Sequence, residues 1–389
     1  MRSAQIRRFF AIVFILVIYT SFKAIQLKPD ETFAAIALTC LFFVAMLAGT
    51  IVYRAKPWVY DRTWFRVLTW AGSLSMGLWA TFIIISLPLD ILHISTWIFE
   101  LASGVTPIRA DTYATLYFSL ASLSFLFVVA GFFAVWRGPK IVRTFVNVEG
   151  LSPALEGLKI VQISDLHVGT TVRKGYVEEV VRRANSVDPD LIFLTGDIAD
   201  ARAESISEHL QPLLGLQARL GSFYVTGNHE YYWNAKELIE KVQALGFKFL
   251  QNENVILERG ESSLLVAGVT DPAGEYMLNG HKPDLVRAAS TPESLTKSSR
   301  LKILLAHRPG VCFEAEALGF DLQFSGHTHS GQFFPFSLFI GLAHRYSRGL
   351  YRLGKMWLYV NPGTGYWGPA NRLGVDPEIS LITLSARPK

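Results

Sequence analysis

Three long stretches without a charged side chain constrain this sequence more than any other feature. They cover residues 32–53, 67–89 and 112–136, and each exceeds the roughly 20 residues that a membrane-spanning helix needs. Half of the whole chain (50%) is hydrophobic, which is more than a soluble protein of this length usually carries. We therefore predict that part of the chain lies in lipid.

A fourth, shorter apolar run covers residues 9–22 and follows two arginines. It reaches the required length if it continues to Leu27 and Lys23 extends its ammonium group to the interface. The alternative is a cleaved signal peptide, although no small-residue cleavage site follows before Lys28. We predict an anchor of four transmembrane helices in residues 1–140.

Basic residues near the ends of the predicted spans are unevenly distributed, ten on one side against three on the other. Because Lys and Arg in short loops mark the cytoplasmic side, we expect both termini in the cytoplasm and a multi-pass protein of the inner membrane. The ten are Arg2, Arg7, Arg8, Arg54, Lys56, Arg62, Arg66, Arg137, Lys140 and Arg143, and the three are Lys23, Lys28 and Arg109.

A further apolar stretch at residues 91–99 falls on the predicted outer side of the membrane. Its aromatic content allows an interfacial or re-entrant segment, but a loop packed on the helix bundle is the simpler interpretation. No charged residue falls inside the three long runs, so a transport pathway is not expected. The bundle is predicted to anchor and position the rest of the chain.

Charge and cysteine content exclude two other classes of protein. The formal net charge is +5, but the basic residues near the start separate apolar runs and form no dense block, so we expect no nucleic-acid partner. Cys40 and Cys312 are the only cysteines in the sequence. They are too few to predict a disulfide framework or a thiolate metal site.

After Trp136 the pattern changes to short apolar runs that alternate with amphipathic segments, which is typical of an α/β domain. We predict a linker at residues 141–156 and an enzyme domain at residues 157–389. The predicted strands are residues 158–163, 191–194, 222–225, 263–269, 301–305, 322–324, 357–360 and 379–384, and the predicted helices are residues 172–186 and 235–245.

Five polar motifs each follow one of these strands. They are Asp165-Leu166-His167, Gly196-Asp197, Gly227-Asn228-His229-Glu230, His307 and Gly326-His327-Thr328-His329. Because ligand crevices form at the carboxyl ends of strands in α/β sheets, we expect the motifs to converge on one sheet edge. Side chains two residues apart on a strand share a face and can bind the same ion. This applies to Asp165 with His167 and to His327 with His329.

Carboxylate, amide and imidazole groups form a mixed ligand set that suits Mn²⁺, Fe or Zn²⁺. The motifs contain no thiolate, so the predicted site is catalytic rather than structural. Any one motif taken alone is better explained as a hydrogen-bonded loop aspartate or a core histidine. Five of them in order, each after a strand, favour a metal centre.

The order of these motifs resembles the calcineurin-like metallophosphoesterases, whose pattern is D-x-H, G-D, G-N-H-[DE], H and G-H-x-H. Every element is present here. The resemblance implies an αββα sandwich and two divalent ions, with Mn²⁺ preferred, that activate a hydroxide for attack on a phosphoryl group. It also implies that the first ion is bound by Asp165, His167, Asp197 and His329, and the second by Asp197, Asn228, His307 and His327, with Asp197 as the bridge.

His229 is implied by the same resemblance to stabilise the transition state or protonate the leaving alkoxide, which suits the pKa of imidazole. The alternative is a histidine behind the ligands that Glu230 orients. The likeness covers about residues 150–389, and residues 361–369 resemble the YkuE/YaeI-like branch of phosphodiesterases. The four preceding spans are more similar to transmembrane metallophosphoesterases.

A Phe-rich segment at residues 333–342 precedes His344, Arg345, Arg348 and Arg352. Apolar residues beside basic ones suit a membrane interface, where the segment enters the inner leaflet and the arginines bind lipid phosphates. The equal alternative is a hydrophobic hairpin packed on the protein, with solvated arginines and a structural His344.

The leading hypothesis for function is hydrolysis of a phosphodiester or pyrophosphate bond in a membrane lipid or lipid precursor, such as UDP-2,3-diacylglucosamine. A phosphatase of phosphoproteins or of soluble nucleotides is the alternative enzyme. A non-catalytic membrane sensor or scaffold would have broken metal ligands, and the five motifs contain none.

Overall fold

The computed structural model of the chain describes residues 18–19, 59–290 and 300–386. The described residues form two compact units. One contains residues 61–130 and 368–370, and the other contains residues 131–367 and those after residue 370. The predicted spans at residues 32–53 and, almost entirely, 9–22 lie outside the described residues.

Two long helices, α1 (Thr63–Ser103) and α2 (Ala110–Trp136), are long and apolar enough to cross a membrane. Their most apolar windows are only 11% and 22% buried, which is unlike the core helices of a soluble domain. They contain the predicted spans at residues 67–89 and 112–136. The structure thus supports two of the four predicted spans.

Helix α1 continues without a break through residues 91–99, so the predicted loop or re-entrant segment there is wrong. Asp90 ends the apolar run but not the helix, and its carboxylate accepts a hydrogen bond from the Tyr117 hydroxyl at 2.7 Å. The helix ends at Ser103 and is capped by Gly104, which has a left-handed backbone and donates its N–H to the Glu100 carbonyl. At 41 residues α1 is about 60 Å long, roughly twice the thickness of the hydrocarbon core.

The other unit contains two six-stranded mixed sheets. In spatial order, the first sheet consists of β1 (Lys140–Asn147), β12 (Glu378–Ser385), β2 (Lys159–Ile163), β3 (Leu191–Thr195), β4 (Gly221–Val225) and β5 (Lys248–Phe249). The second consists of β10 (Gly349–Leu353), β11 (Met356–Val360), β9 (Leu322–Ser325), β8 (Arg300–Leu305), β7 (Ser262–Gly268) and β6 (Glu253–Arg259). Strands β2 to β5 are parallel, as are β11, β9, β8 and β7.

The helices of this unit are short. They are α3 (Lys174–Asn185), α4 (Ala203–Leu210), α5 (Asn228–Trp233), α6 (Ala235–Ala244), α7 (Ala273–Met277), α8 (Leu285–Ala289), α9 (Cys312–Ala317) and α10 (Ile340–Ala343). Every strand and helix predicted for this unit is present, with bounds that differ by two residues or fewer.

Strand β1 starts at Lys140, the last residue of the predicted anchor, covers the first half of the predicted linker at residues 141–156 and pairs in parallel with β12. The prediction of a linker is therefore wrong for these residues. Most side chains of β1 are exposed or half-buried, and only Val146 is fully buried. An edge strand with so little apolar surface has a weak sequence signal. The short or edge strands β5, β6 and β10 were missed for the same reason.

The two sheets pack face to face around one apolar core. Ile160 and Phe193 of the first sheet pack with Val266 and Phe324 of the second, and the rings of Phe193 and Phe324 meet edge to face with centroids 5.1 Å apart. On the outer side of the second sheet, alternate residues such as Leu265 pack against α8 and α9. The prediction of an α/β domain built on two sheets is confirmed.

Candidate metal centre

The five motifs follow strands of both sheets. Asp165, Asp197 and Asn228 come after β2, β3 and β4, whereas His307 and His327 come after β8 and β9. The expectation of a single sheet edge was therefore too simple. The motifs meet because the two sheets stack with the carboxyl ends of these strands at the same end, a layering that the spacing of the motifs does not reveal.

Five of the predicted ligands have a left-handed backbone, with φ of 51° at Asp165, 52° at His167, 52° at Asp197, 72° at His327 and 47° at His329. The idea that each pair shares one face of an extended strand is therefore wrong, since tight turns bring the side chains together. Such a backbone costs about 1–2 kcal/mol per residue and persists only where the surroundings enforce it. Here the turns bond each other, for example His167 N to Asp197 O at 3.0 Å.

The glycines of the motifs make room for the carboxylates. A Cβ atom on Gly227 would lie 2.2 Å from Oδ1 of Asp197, and one on Gly326 would lie 2.2 Å from Oδ2 of Asp165. Neither distance is compatible with a side chain. The two glycines are therefore required by the close approach of backbone to predicted ligands.

One cluster of candidate ligand atoms joins Asp165, His167 and His329, which lie within 4.8 Å of one another. Nε2 of His329 is 2.9 Å from Nε2 of His167 and 3.4 Å from Oδ1 of Asp165. The side chain of Asp165 is fully buried. Two imidazole nitrogens and a carboxylate therefore converge on one point at the end of the sheets.

A second cluster joins Asp197, His307 and His327. Nε2 of His307 is 3.2 Å from Oδ2 of Asp197 and 3.2 Å from Nδ1 of His327. The same Oδ2 of Asp197 is 4.0 Å from Nε2 of His167 in the first cluster. Asp197 thus lies between the two clusters, which is where a bridging carboxylate belongs.

Two further observations fit divalent cations. Oδ1 of Asn228 is buried and has no hydrogen-bond partner among the described residues, whereas buried polar atoms are normally satisfied. Burial lowers the pKa of His327 to about 2 and also lowers that of His329, so both imidazoles stay neutral, the form that binds metals. The neutral imidazoles and the unpaired Oδ1 of Asn228 therefore suit a metal centre.

Asp200 holds two histidines of the centre. Its carboxylate is hydrogen-bonded to Nδ1 of His229 and lies 3.1 Å from Nδ1 of His167. Burial opposes the protonation of His229, but Asp200 and Asp197 outweigh it and raise the pKa of His229 to about 9. Sequence reasoning missed Asp200, whose only signal is a carboxylate three residues after Asp197.

Glu230 is not the partner that orients His229, whose ring is bonded to Asp200, so this part of the alternative is wrong. The Glu230 carboxylate accepts hydrogen bonds from the backbone N–H groups of Gly227 at 2.6 Å, Ile198 at 2.7 Å and Asp197 at 3.0 Å. Burial, helped by the charge of Asp197, raises the pKa of Glu230 to about 7. Glu230 therefore joins the turns after β3 and β4 and fixes the backbone of two motifs.

Arg372 supports the centre from behind. Its buried guanidinium donates to the carbonyls of Pro362 at 2.8 Å and Gly363 at 3.1 Å, and Nη2 lies 3.4 Å from Nδ1 of His329. Burial lowers the pKa of Arg372 to about 10, so it remains charged at neutral pH. It holds the loop at residues 361–365 against the first cluster, and no local motif predicts this role.

The three residues predicted to contact substrate, His344, Arg345 and Arg348, lie in different surroundings. The His344 ring lies beside the second cluster, 5.7 Å from the His327 ring. Arg345 places its guanidinium over the Phe313 ring at 5.6 Å. Arg348 is exposed. The structure therefore brings only His344 next to the predicted ligands.

A two-sheet α/β domain that gathers Asp and His side chains at its strand ends has the arrangement of a metal-dependent hydrolase. The sequence profile of the calcineurin-like phosphoesterases matches residues 158–331. A metallophosphoesterase of Helicobacter pylori is 35% identical over 271 residues, which cover 67% of this chain and 70% of that protein.

Two other relatives come from distant organisms. A transmembrane protein with metallophosphoesterase domain from Danio rerio is 34% identical over 254 residues, or 63% of this chain and 57% of that protein. The metallophosphoesterase YkuE of Bacillus subtilis is 31% identical over 240 residues, or 59% of this chain and 80% of that protein. The chain belongs to the calcineurin-like metallophosphoesterases and is a phosphoester hydrolase.

Proposed function

We propose that the chain hydrolyses a phosphodiester or pyrophosphate bond at a centre of two divalent ions, with Mn²⁺ preferred over Fe or Zn²⁺. The proposal rests on one observation above all, the position of Asp197, whose Oδ2 lies 3.2 Å from His307 of one cluster and 4.0 Å from His167 of the other. The ligands of the first ion are Asp165, His167, Asp197 and His329, and those of the second are Asp197, Asn228, His307 and His327.

When bound, the two ions supply the positive charge that stabilises a transferring phosphoryl group and lower the pKa of water. The protein contributes a proton donor. His229, 14% exposed at the mouth, is held by Asp200, and Nε2 stays 3.9 Å from Asp197. The hydrogen bond of Asp200 to Nδ1 favours the protonated imidazole, which can pass a proton from Nε2 to a leaving alkoxide. We assign His229 as the general acid and Asp200 as its positioning residue.

The substrate is proposed to be a membrane lipid or lipid precursor, for example UDP-2,3-diacylglucosamine. Two features support this class. The chain carries two helices able to cross a membrane. The Phe-rich segment exposes Leu338 by 68%, Phe339 by 50% and Leu342 by 89%, an apolar surface that suits contact with a bilayer. A soluble nucleotide or a phosphoprotein would not need this surface.

Serine in place of Leu338, Phe339 and Leu342 is expected to lower turnover of a lipid pyrophosphate in phospholipid vesicles by at least about tenfold, since burying each large apolar side chain contributes about 1.5–3 kcal/mol. The loss on soluble bis-p-nitrophenyl phosphate should be much smaller. Leu214→Ser with Val286→Ser is the control, because these side chains are 56% and 61% exposed on other elements. Equal losses on both substrates would reject contact with lipid.

We further propose that four spans place both termini in the cytoplasm and integrate the protein into the inner membrane. The support is the excess of basic residues on one side of the predicted spans. A reporter fused after Lys389 that fluoresces only in the cytoplasm is expected to be active, and one that works only in the periplasm is expected to be silent. The reverse pattern would invert the orientation.

A further inference from the structure

Arg308 follows the predicted ligand His307 and forms a two-point ion pair beside the metal centre. Its Nε lies 2.7 Å from Oδ2 of Asp271, and its Nη2 lies 3.1 Å from Oδ1. The Asp271 side chain is completely buried, whereas that of Arg308 is 36% exposed. The aspartate of the pair is therefore buried, and the arginine is partly accessible to solvent.

Asp271 is itself held in place. Its Oδ1 accepts from Ala273 N at 2.8 Å, and its own N–H bonds the Thr226 hydroxyl at 3.4 Å. That hydroxyl also bonds the Tyr231 hydroxyl at 2.9 Å. Thr226 directly precedes the Gly227 motif, so the anchor of Arg308 is tied to the same turn that presents Asn228 and His229.

Arg308 directly follows the predicted ligand His307, and its partner Asp271 is bonded to Thr226, which precedes the Gly227 motif. Burial lowers the pKa of His344, and the positive charge of Arg308 lowers it further. Burial opposes the charge on Arg308, but Asp271, with smaller effects of Tyr232 and Asp197, raises its pKa. Tyr232 in turn lines the centre, because its hydroxyl is 3.4 Å from Nδ2 of Asn228 and its ring is 5.1 Å from the ring of His229.

A guanidinium has five N–H donors in a planar fork, and Asp271 engages only Nε and Nη2. Such a group is permanently charged and matches the geometry of phosphate oxygens. The sequence predicted phosphate contacts for Arg345, Arg348 and Arg352; of these, Arg345 places its guanidinium over the Phe313 ring.

We infer that Arg308, fixed by Asp271, binds the second, non-reacting phosphoryl group of a pyrophosphate substrate next to the phosphoryl group held at the metal centre. The inference rests on the proposed function and selects the pyrophosphate class within it. In this geometry the centre binds the reacting phosphoryl group, and Arg308 distinguishes a substrate with two phosphoryl groups from one with a single group.

The test is equilibrium binding by calorimetry to the full-length, Mn²⁺-loaded protein in detergent. The two ligands are AMP and α,β-methylene-ADP, which share a nucleoside and differ in the second phosphoryl group. Arg308→Ala is expected to raise the Kd of α,β-methylene-ADP by at least about tenfold and that of AMP by less than about threefold. Arg308→Lys, which keeps the charge and the pair with Asp271, should fall between wild type and Arg308→Ala.

Arg219→Ala is the matched control, since Arg219 also pairs with an aspartate, Asp190, but at the opposite end of β3. It should change neither Kd. Equal changes for both ligands, or none, in a variant that retains its metal would overturn the inference. If Arg308→Ala loses its metal, the Kd of α,β-methylene-ADP divided by that of AMP is measured for Arg308→Lys. A ratio above that of the wild type supports the inference, and an unchanged ratio overturns it. Because binding is measured without turnover, a chain that binds both ligands but hydrolyses no phosphoester would contradict the proposed function and leave this test intact.

Discussion

Asp197→Asn is expected to reduce the hydrolysis of bis-p-nitrophenyl phosphate to background, a loss of at least about a thousandfold, and to remove bound metal. A neutral amide in this position no longer offsets the repulsion between two cations roughly 3.5–4 Å apart. The fold should survive, because asparagine is nearly isosteric, tolerates the left-handed backbone at φ 52° and can still accept the hydrogen bond from His229 N. Activity and metal content would be measured on the same preparation.

Asp188→Asn is the matched control for this change. Asp188 also has a φ of 52°, but its side chain is 66% exposed and pairs with Arg219. The control should retain full activity and metal, so that a loss in Asp197→Asn reports the position and not the substitution. An Asp197→Asn protein with wild-type turnover would contradict the bridging role.

His229→Gln is expected to lower kcat by about 10²–10⁴-fold on a substrate with an alkyl leaving group, the usual contribution of a general acid. On a p-nitrophenyl ester the loss should be about tenfold or less, because that leaving group departs without a proton. Metal content should stay at the wild-type level, since His229 is not among the proposed ligands. Both rates would be measured at saturating substrate so that kcat is compared directly.

An equal loss on both leaving groups would show that His229 stabilises the phosphoryl group and not the departing oxygen. Asp200→Asn serves as the companion variant, because it leaves the imidazole in place and removes its partner. It should show the same dependence on the leaving group with a smaller loss. A loss of metal in Asp200→Asn would instead point to its contact with His167.

The strands that carry the site were predictable because their residues are apolar and their ends are polar. Phe193 and Leu194 lie in a continuous buried run, and Gly196-Asp197 follows at once. Strands of this kind can be predicted without knowing which strand pairs with them. Edge strand β1 gave no comparable signal, because only Val146 of its eight residues is fully buried and its place is set by pairing with β12, far away in sequence.

The chemistry of the centre was predictable at the level of residue types but not of geometry. The left-handed turns at Asp165 and His327 depend on bonds between loops of different strands, which no local pattern encodes. Arg372 and the Asp271–Arg308 pair were missed for a related reason. Each is an ordinary charged residue in sequence and gains its role only through partners brought close by the fold.

The most direct test of the account is the number and coupling of Mn²⁺ ions in the wild-type chain. Metal analysis combined with electron paramagnetic resonance should find two ions per active chain with an exchange-coupled signal, as expected for ions roughly 3.5–4 Å apart that share a carboxylate. One ion per fully active chain, with the six-line signal of isolated Mn²⁺, would contradict a two-metal centre bridged by Asp197.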